Sequence, residues 1–221
     1  MMSNIFSSFD PMSSSFSFQL NWISMFIFLS VVYPLYWISS SKALSTISEI
    51  SFYISKEFIL LFKSYKNSLF LITLFLFILI NNGFGLMPYT FTSTSHIAMS
   101  FSMSFTIWLI FMSYGWINNS NKMFAHLVPL GTPLLLMPFM VLIETISNII
   151  RPITLAVRLA ANLTAGHLLL VLLGDSMVNK SFFIVLSVTL AQFALMTLEA
   201  AVAMIQAYVF ATLSTLYASE V

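Results

Sequence analysis

The chain contains no cysteine, which excludes disulfides, thiolate nucleophiles, iron–sulfur clusters and cysteine-ligated metals. Charged residues are also scarce, because Asp, Glu, Lys and Arg together make up only 7% of the 221 residues. Soluble domains carry about 25% charged residues, so this sequence cannot cover a water-exposed surface. Its net charge of +1 also excludes the basic footprint of a nucleic-acid-binding protein.

What the sequence does contain is apolar. Hydrophobic residues account for 59% of the chain, including 23 Phe and 14 Met, and the mean hydropathy is +0.97. These values exclude a disordered chain and indicate an integral membrane protein. Residues 1–15 include one acidic residue and no basic one, unlike a secretory signal or a mitochondrial transit peptide. We therefore expect insertion from the bacterial cytoplasm or from inside an organelle.

The apolar runs predict an all-α integral membrane protein that forms a single membrane domain over residues 1–221. At about 20 apolar residues per crossing, the runs correspond to about five membrane helices. A first membrane helix is predicted at 16–38, a helical hairpin within 68–122 and a long hairpin within 125–217. The last run, 181–217, is longer than a perpendicular crossing needs, so it must be tilted.

Residues 42–66 differ from these runs because charged and apolar residues alternate there. This segment is predicted to be an amphipathic helix on the membrane surface, although an ordinary solvated connector is the alternative. Four lysines of this segment and Lys122 fall in loops on one side of the membrane, which the positive-inside rule makes the cytoplasm or matrix. The charged residues of the segment are Lys42, Glu49, Lys56, Glu57, Lys63 and Lys66.

Five ionisable residues lie inside the last two apolar stretches, where a charge at mid-bilayer costs about 2.5–3.5 kcal/mol. A buried ion pair between helices would explain one such charge. Five of them in two helices indicate a function. The five residues are Glu144, Arg151, Arg158, His167 and Glu199.

Helical spacing arranges these residues in two polar stripes. On the first of the two helices, residues at intervals of seven and then four share a face: Glu144, Arg151, Arg158 and Asn162. On the last helix, an interval of seven relates Gln192, Glu199 and Gln206. Small residues flank both stripes, as they do where other membrane helices dock.

The chemistry available to these side chains is limited. The sequence has no glycine-rich phosphate loop, no metal-binding cluster and no nucleophile–base pair, so no cofactor is expected. Histidine and carboxyl groups removed from water exchange protons near neutral pH, which favours a proton relay. Arg158 cannot take part in such a relay, because a guanidinium does not deprotonate in proteins. It is predicted to act as a barrier or a counter-ion.

These residues also resemble a known family. Residues 158–167, preceded by 144–152, resemble subunit a of the rotary ATP synthase, and 199–210 resemble the last helix of that subunit. Residues 125–133 and Phe9-Asp10-Pro11 are similar to its mitochondrial, arthropod-type branch. The resemblance covers essentially the whole chain.

The resemblance implies a proton-translocating stator subunit that is not itself catalytic. Such a subunit forms two offset proton half-channels against the ring of c subunits and couples proton flow to rotation and ATP synthesis. Its partners would be the c-ring, other stator and membrane-sector subunits, protons and the lipid bilayer. It would be a multi-pass protein of the mitochondrial inner membrane, with its N-terminus toward the intermembrane space and its C-terminus toward the matrix.

The family pattern also implies roles for individual residues. Arg158 would be the arginine that faces the c-ring. Glu199 and His167 would line the half-channel from the intermembrane space, and Glu144 would belong to the exit path toward the matrix. The polar neighbours of the arginine would be Asn162 and Gln206.

Two other functions are compatible with parts of the sequence. A non-conducting scaffold subunit of a respiratory complex would also lack cysteine, but it would not need Arg158. A secondary transporter fits less well, because the sequence shows no inverted repeat and no pair of helices broken by Gly or Pro.

Overall fold

The computed structural model describes residues 6, 9–12, 19–26, 42–62, 65–87, 90–128, 133, 136–177 and 180–220. Every regular element in these ranges is helical, which confirms the all-α prediction. The predicted first membrane helix, 16–38, falls mostly outside these ranges, and its part Leu20–Phe26 is a 3₁₀ helix. A second 3₁₀ helix comprises Ser93–Ser95.

The α-helices, in chain order, are α1 Lys42–Phe62, α2 Tyr65–Gly85, α3 Ile97–Asn118, α4 Ser120–His126, α5 Met137–Ser176 and α6 Phe182–Glu220. Four stretches in the described part of the chain are long and apolar enough to cross a membrane. They are Ser68–Gly85, Ile97–Asn118, Met137–Ser176 and Phe182–Ala218.

The two longest helices exceed the thickness of a bilayer. With 40 residues in α5 and 39 in α6, they measure ~60 Å and ~58 Å at a rise of about 1.5 Å per residue. The hydrocarbon core of a bilayer is only about 30 Å thick, so both helices must tilt if they are to remain within it. Pro152 lies inside α5 and removes one backbone donor.

The core forms where α2 packs against α6 and where α5 packs against both α3 and α6. Leu71, Phe75 and Ile78 of α2 are buried in its centre. Small residues on α5 and α6 are buried where these two helices contact their neighbours, because alanine lets two helix backbones approach closely. These alanines are Ala156, Ala160, Ala203, Ala207 and Ala211.

Helix α1 is attached to this bundle by one side. Phe58 is fully buried in the core, whereas Phe52, Tyr53 and Leu60 are exposed. Exposed apolar side chains on a helix that also carries charges are typical of a membrane interface.

Candidate functional site

The site is built along the contact between α5 and α6. Two contacts define how these helices run: Gly166 lies against Glu199, and Arg158 lies against Gln206. The residue numbers rise on one helix as they fall on the other, so the helices are antiparallel. A cavity of about 240 Å³ lies between them and is lined by Asn162, Gly166, Glu199 and Gln206, together with apolar side chains.

Glu199 occupies the space that a side chain at residue 166 would fill. A Cβ atom built on Gly166 would overlap the Glu199 carboxyl group and would lie 2.9 Å from its Cγ. Glu199 is 7% exposed, and neither carboxyl oxygen has a hydrogen-bond partner within the described ranges. Burying a carboxyl group without a hydrogen-bond partner costs free energy. An ionisable group kept in a membrane helix at such a cost indicates a function.

His167 follows Gly166 in the sequence and faces a different side of α5. Its imidazole lies beside the backbone of Gly85 at the end of α2. The ring of Phe9 contacts it edge to face, with 6.2 Å between the ring centres. Nε2 of His167 is buried and has no partner among the residues described. A second titratable group with an unsatisfied nitrogen is therefore the sequence neighbour of Gly166, the residue that Glu199 contacts.

Gln206 on α6 is hydrogen-bonded to Arg158 on α5, which fixes the position of one helix along the other at this point. Its Nε2 donates a hydrogen bond of 2.6 Å to the backbone carbonyl of Arg158, and Gln206 is 6% exposed. The Arg158 side chain is exposed, as is Asn162 one turn further along α5. The amide of Gln206 thus contacts the backbone of the arginine and leaves the guanidinium at the surface.

Glu144 lies at a different level of α5. It forms an ion pair with Arg151, with 3.7 Å between the guanidinium nitrogen and the carboxylate oxygen. Arg151 also lies over the ring of Tyr217, 5.0 Å from its centre. Glu144 precedes Arg158 by 14 positions, a distance of ~21 Å along a helix axis at about 1.5 Å per residue. The structure therefore brings together Glu199, Gln206 and the backbone of Arg158, but not Glu144.

Two polar residues of α2 that are not among the predicted site residues lie near Gly85. Asn82 is fully buried, and neither of its side-chain polar atoms has a partner within the described part of the chain. Asn81 on the same helix and Thr94 on the Ser93–Ser95 helix are also buried, and each has one side-chain polar atom without a partner among the described residues. Two adjacent asparagines near the end of an apolar membrane helix are a sequence signal of a functional site, because unsatisfied polar groups are costly in lipid.

Fold and site together define the class of this protein. It is an all-helical integral membrane protein whose two longest helices carry a buried carboxyl group, a half-buried imidazole and an exposed guanidinium.

Comparison with known proteins identifies the family. The sequence profile described as "ATP synthase A chain" matches residues 18–219. The chain is 55% identical to ATP synthase subunit a of Drosophila melanogaster, over 100% of both chains. The corresponding subunits of Locusta migratoria and Anopheles gambiae are 52% and 53% identical, again over 100% of both chains. The chain belongs to the ATP synthase A chain family.

Proposed function

We propose that this membrane-sector subunit of ATP synthase translocates protons through two offset half-channels that it forms against the c-ring, and so couples proton flow to rotation. The observation that carries this proposal is the position of Glu199. Its carboxyl group is buried beside Gly166 without a partner in the described ranges, in a cavity that extends to Gln206. Gln206 in turn is hydrogen-bonded to the backbone of Arg158.

The entry half-channel is proposed to pass His167 and Glu199. An imidazole and a buried carboxyl group can each accept a proton and release it again. Asn82, buried near Gly85, is proposed to hydrogen-bond water on the same path. A proton delivered by Glu199 then neutralises a carboxylate on a c subunit. The neutral c subunit can turn into lipid, because it no longer exposes a charge to the hydrocarbon.

Arg158 is proposed to separate the two half-channels. Its guanidinium stays charged and is exposed on the surface of α5. It attracts the ionised carboxylate of a c subunit and repels a free proton, which prevents a direct leak. The membrane potential contributes about 2.3 kcal/mol per charge per 100 mV and biases the direction of flow. Asn162 and Gln206 supply polar contacts next to the arginine.

The exit half-channel is proposed to lead to Glu144 and the matrix. The Glu144–Arg151 pair lies on the side of Arg158 away from Glu199. The subunit itself performs no bond chemistry in this account. The similarity to the insect subunits supports a location in the mitochondrial inner membrane. The positions of the lysines predict an N-terminus toward the intermembrane space and a C-terminus toward the matrix.

Replacement of Glu199 by Gln tests the entry half-channel. The amide has nearly the same size as the carboxyl group but cannot exchange protons. We expect passive proton conductance to fall about 100-fold, within the range that a positioned acid–base group contributes. Conductance is measured between pH 6 and pH 8 in membrane vesicles after removal of the catalytic head.

The matched control is Asp175→Asn, which neutralises an exposed carboxylate at the end of α5 and should leave conductance unchanged. If the Glu199→Gln variant conducts protons like the wild type across this pH range, Glu199 is a structural residue and not a relay.

A further inference from the structure

A hydrogen bond connects α1 to α6 outside the site described above. The hydroxyl of Tyr208 donates to Oε2 of Glu57 over 3.1 Å, between residues 151 positions apart. Tyr208 is 42% exposed, and Glu57 is also exposed. The proposed mechanism uses neither residue.

Neighbouring contacts hold Glu57 in this position. Phe58, the next residue, is fully buried in the core and anchors α1 at this point. Lys56, the residue before Glu57, also has a contact of its own, because its ammonium lies 4.5 Å from the centre of the Phe52 ring. Within the described ranges, the carboxylate of Glu57 contacts a hydroxyl and makes no ion pair.

Tyr208 lies on the far side of Arg158 from Glu199. Along α6, Glu199 precedes Gln206 by seven residues and Tyr208 follows it by two. At about 1.5 Å per residue these intervals are ~10 Å and ~3 Å. Because Gln206 is hydrogen-bonded to the backbone of Arg158, Tyr208 lies close to the arginine when the distance is measured along α6. It lies on the side of the proposed exit half-channel.

Glu144 is much further from Arg158, at ~21 Å along the axis of α5 for a rise of about 1.5 Å per residue. It is also compensated by Arg151. Measured along the helix axes, the tyrosine that is hydrogen-bonded to Glu57 is therefore nearer to Arg158 than Glu144 is.

We infer that Tyr208 and Glu57 form the first relay on the matrix side of the c-ring, a role that rests on the proposed function. A c-subunit carboxyl group passes its proton to the hydroxyl oxygen of Tyr208, while the proton already on that hydroxyl moves to Glu57. Tyr208 is neutral before and after, the ring carboxylate is ionised, and Glu57 becomes a neutral acid. Glu57 then releases the proton to water at its exposed position.

A purely structural bond between α1 and α6 would have the same geometry, and two variants distinguish the roles. Glu57→Gln keeps an oxygen that accepts the Tyr208 hydrogen bond, so it preserves the link but cannot take up a proton. Tyr208→Phe removes the hydroxyl and therefore both the link and the relay. Glu49→Gln is the matched control, since Glu49 is an exposed carboxylate on the same helix.

The measurement is ATP synthesis driven by an imposed proton gradient, in membrane vesicles that contain the whole ATP synthase. We expect Glu57→Gln and Tyr208→Phe to assemble and to lower the rate about tenfold or more, as loss of a positioned acid–base group does. Glu49→Gln should stay within about twofold of the wild type, since it changes only an exposed charge.

Wild-type rates in Glu57→Gln complexes would overturn the relay, whether or not Tyr208→Phe is slow. Failure of Glu57→Gln complexes to assemble would also contradict it, because the amide preserves the link. Glu199→Gln is measured in the same vesicles. If it lowers the rate and Glu57→Gln does not, only this inference fails; if Glu199→Gln has no effect, the proposed function fails first.

Discussion

Arg158→Lys is expected to abolish ATP-driven proton pumping and ATP synthesis while the complex still assembles. Assembly should survive because Gln206 is bonded to the backbone carbonyl of Arg158 and not to its side chain. Lysine keeps a positive charge, but it lacks the planar fork that pairs with a carboxylate and it can lose its proton. We expect both rates to fall at least about 100-fold, as when a positioned charge-stabilising donor is removed.

Coupled pumping in vesicles containing assembled complexes gives the result. The control is Arg151→Lys, on the same face of α5, where a lysine can still form the ion pair with Glu144 and most of the activity should remain. A scaffold subunit would not need the guanidinium of residue 158. Wild-type coupling in the Arg158→Lys complex would therefore favour that alternative and contradict the proposed mechanism.

Gly166→Ala is expected to have the second largest effect, because the added methyl group takes the place of the Glu199 carboxyl group. A Cβ at residue 166 overlaps that carboxyl group. The overlapping atoms belong to the end of a flexible side chain, so Glu199 moves and the helices need not separate. We expect normal assembly and a fall in proton conductance of about 100-fold, similar to removal of the acid–base group itself.

Gly83→Ala is the matched control, since a Cβ built at residue 83 has no atom within 4 Å. It adds the same methyl group to another membrane helix and should leave conductance within about twofold of the wild type, because it fills open space. Equal conductance in the two variants would show that the position of Glu199 does not determine proton entry.

The all-helical fold was accessible from the sequence because each membrane helix must satisfy its own backbone. Long apolar runs therefore predict helices directly, and the interval of seven between Glu199 and Gln206 predicts a shared face. Both side chains are indeed buried. Local periodicity carries this information because it depends only on neighbours within a few turns.

Contacts between distant segments could not be predicted from such local patterns. Gln206 contacts the backbone of Arg158, and Tyr208 contacts Glu57, over separations of 48 and 151 residues. The close approach of Glu199 to Gly166 depends on how far apart α5 and α6 lie, which no pattern within one helix determines. Spacing predicts that Glu144, Arg151 and Arg158 share a face of α5, but it does not show that the first two form an ion pair with each other.

A density map of the intact complex in its membrane sector, read around Arg158, tests the central claim most directly. We predict that the guanidinium faces the c-ring, with a c-subunit carboxylate able to approach within about 4 Å, the limit for an ion pair. No other stator helix should lie between Arg158 and the ring. A map in which lipid or another stator helix covers Arg158, with the ring against a different face of α5 and α6, would contradict it.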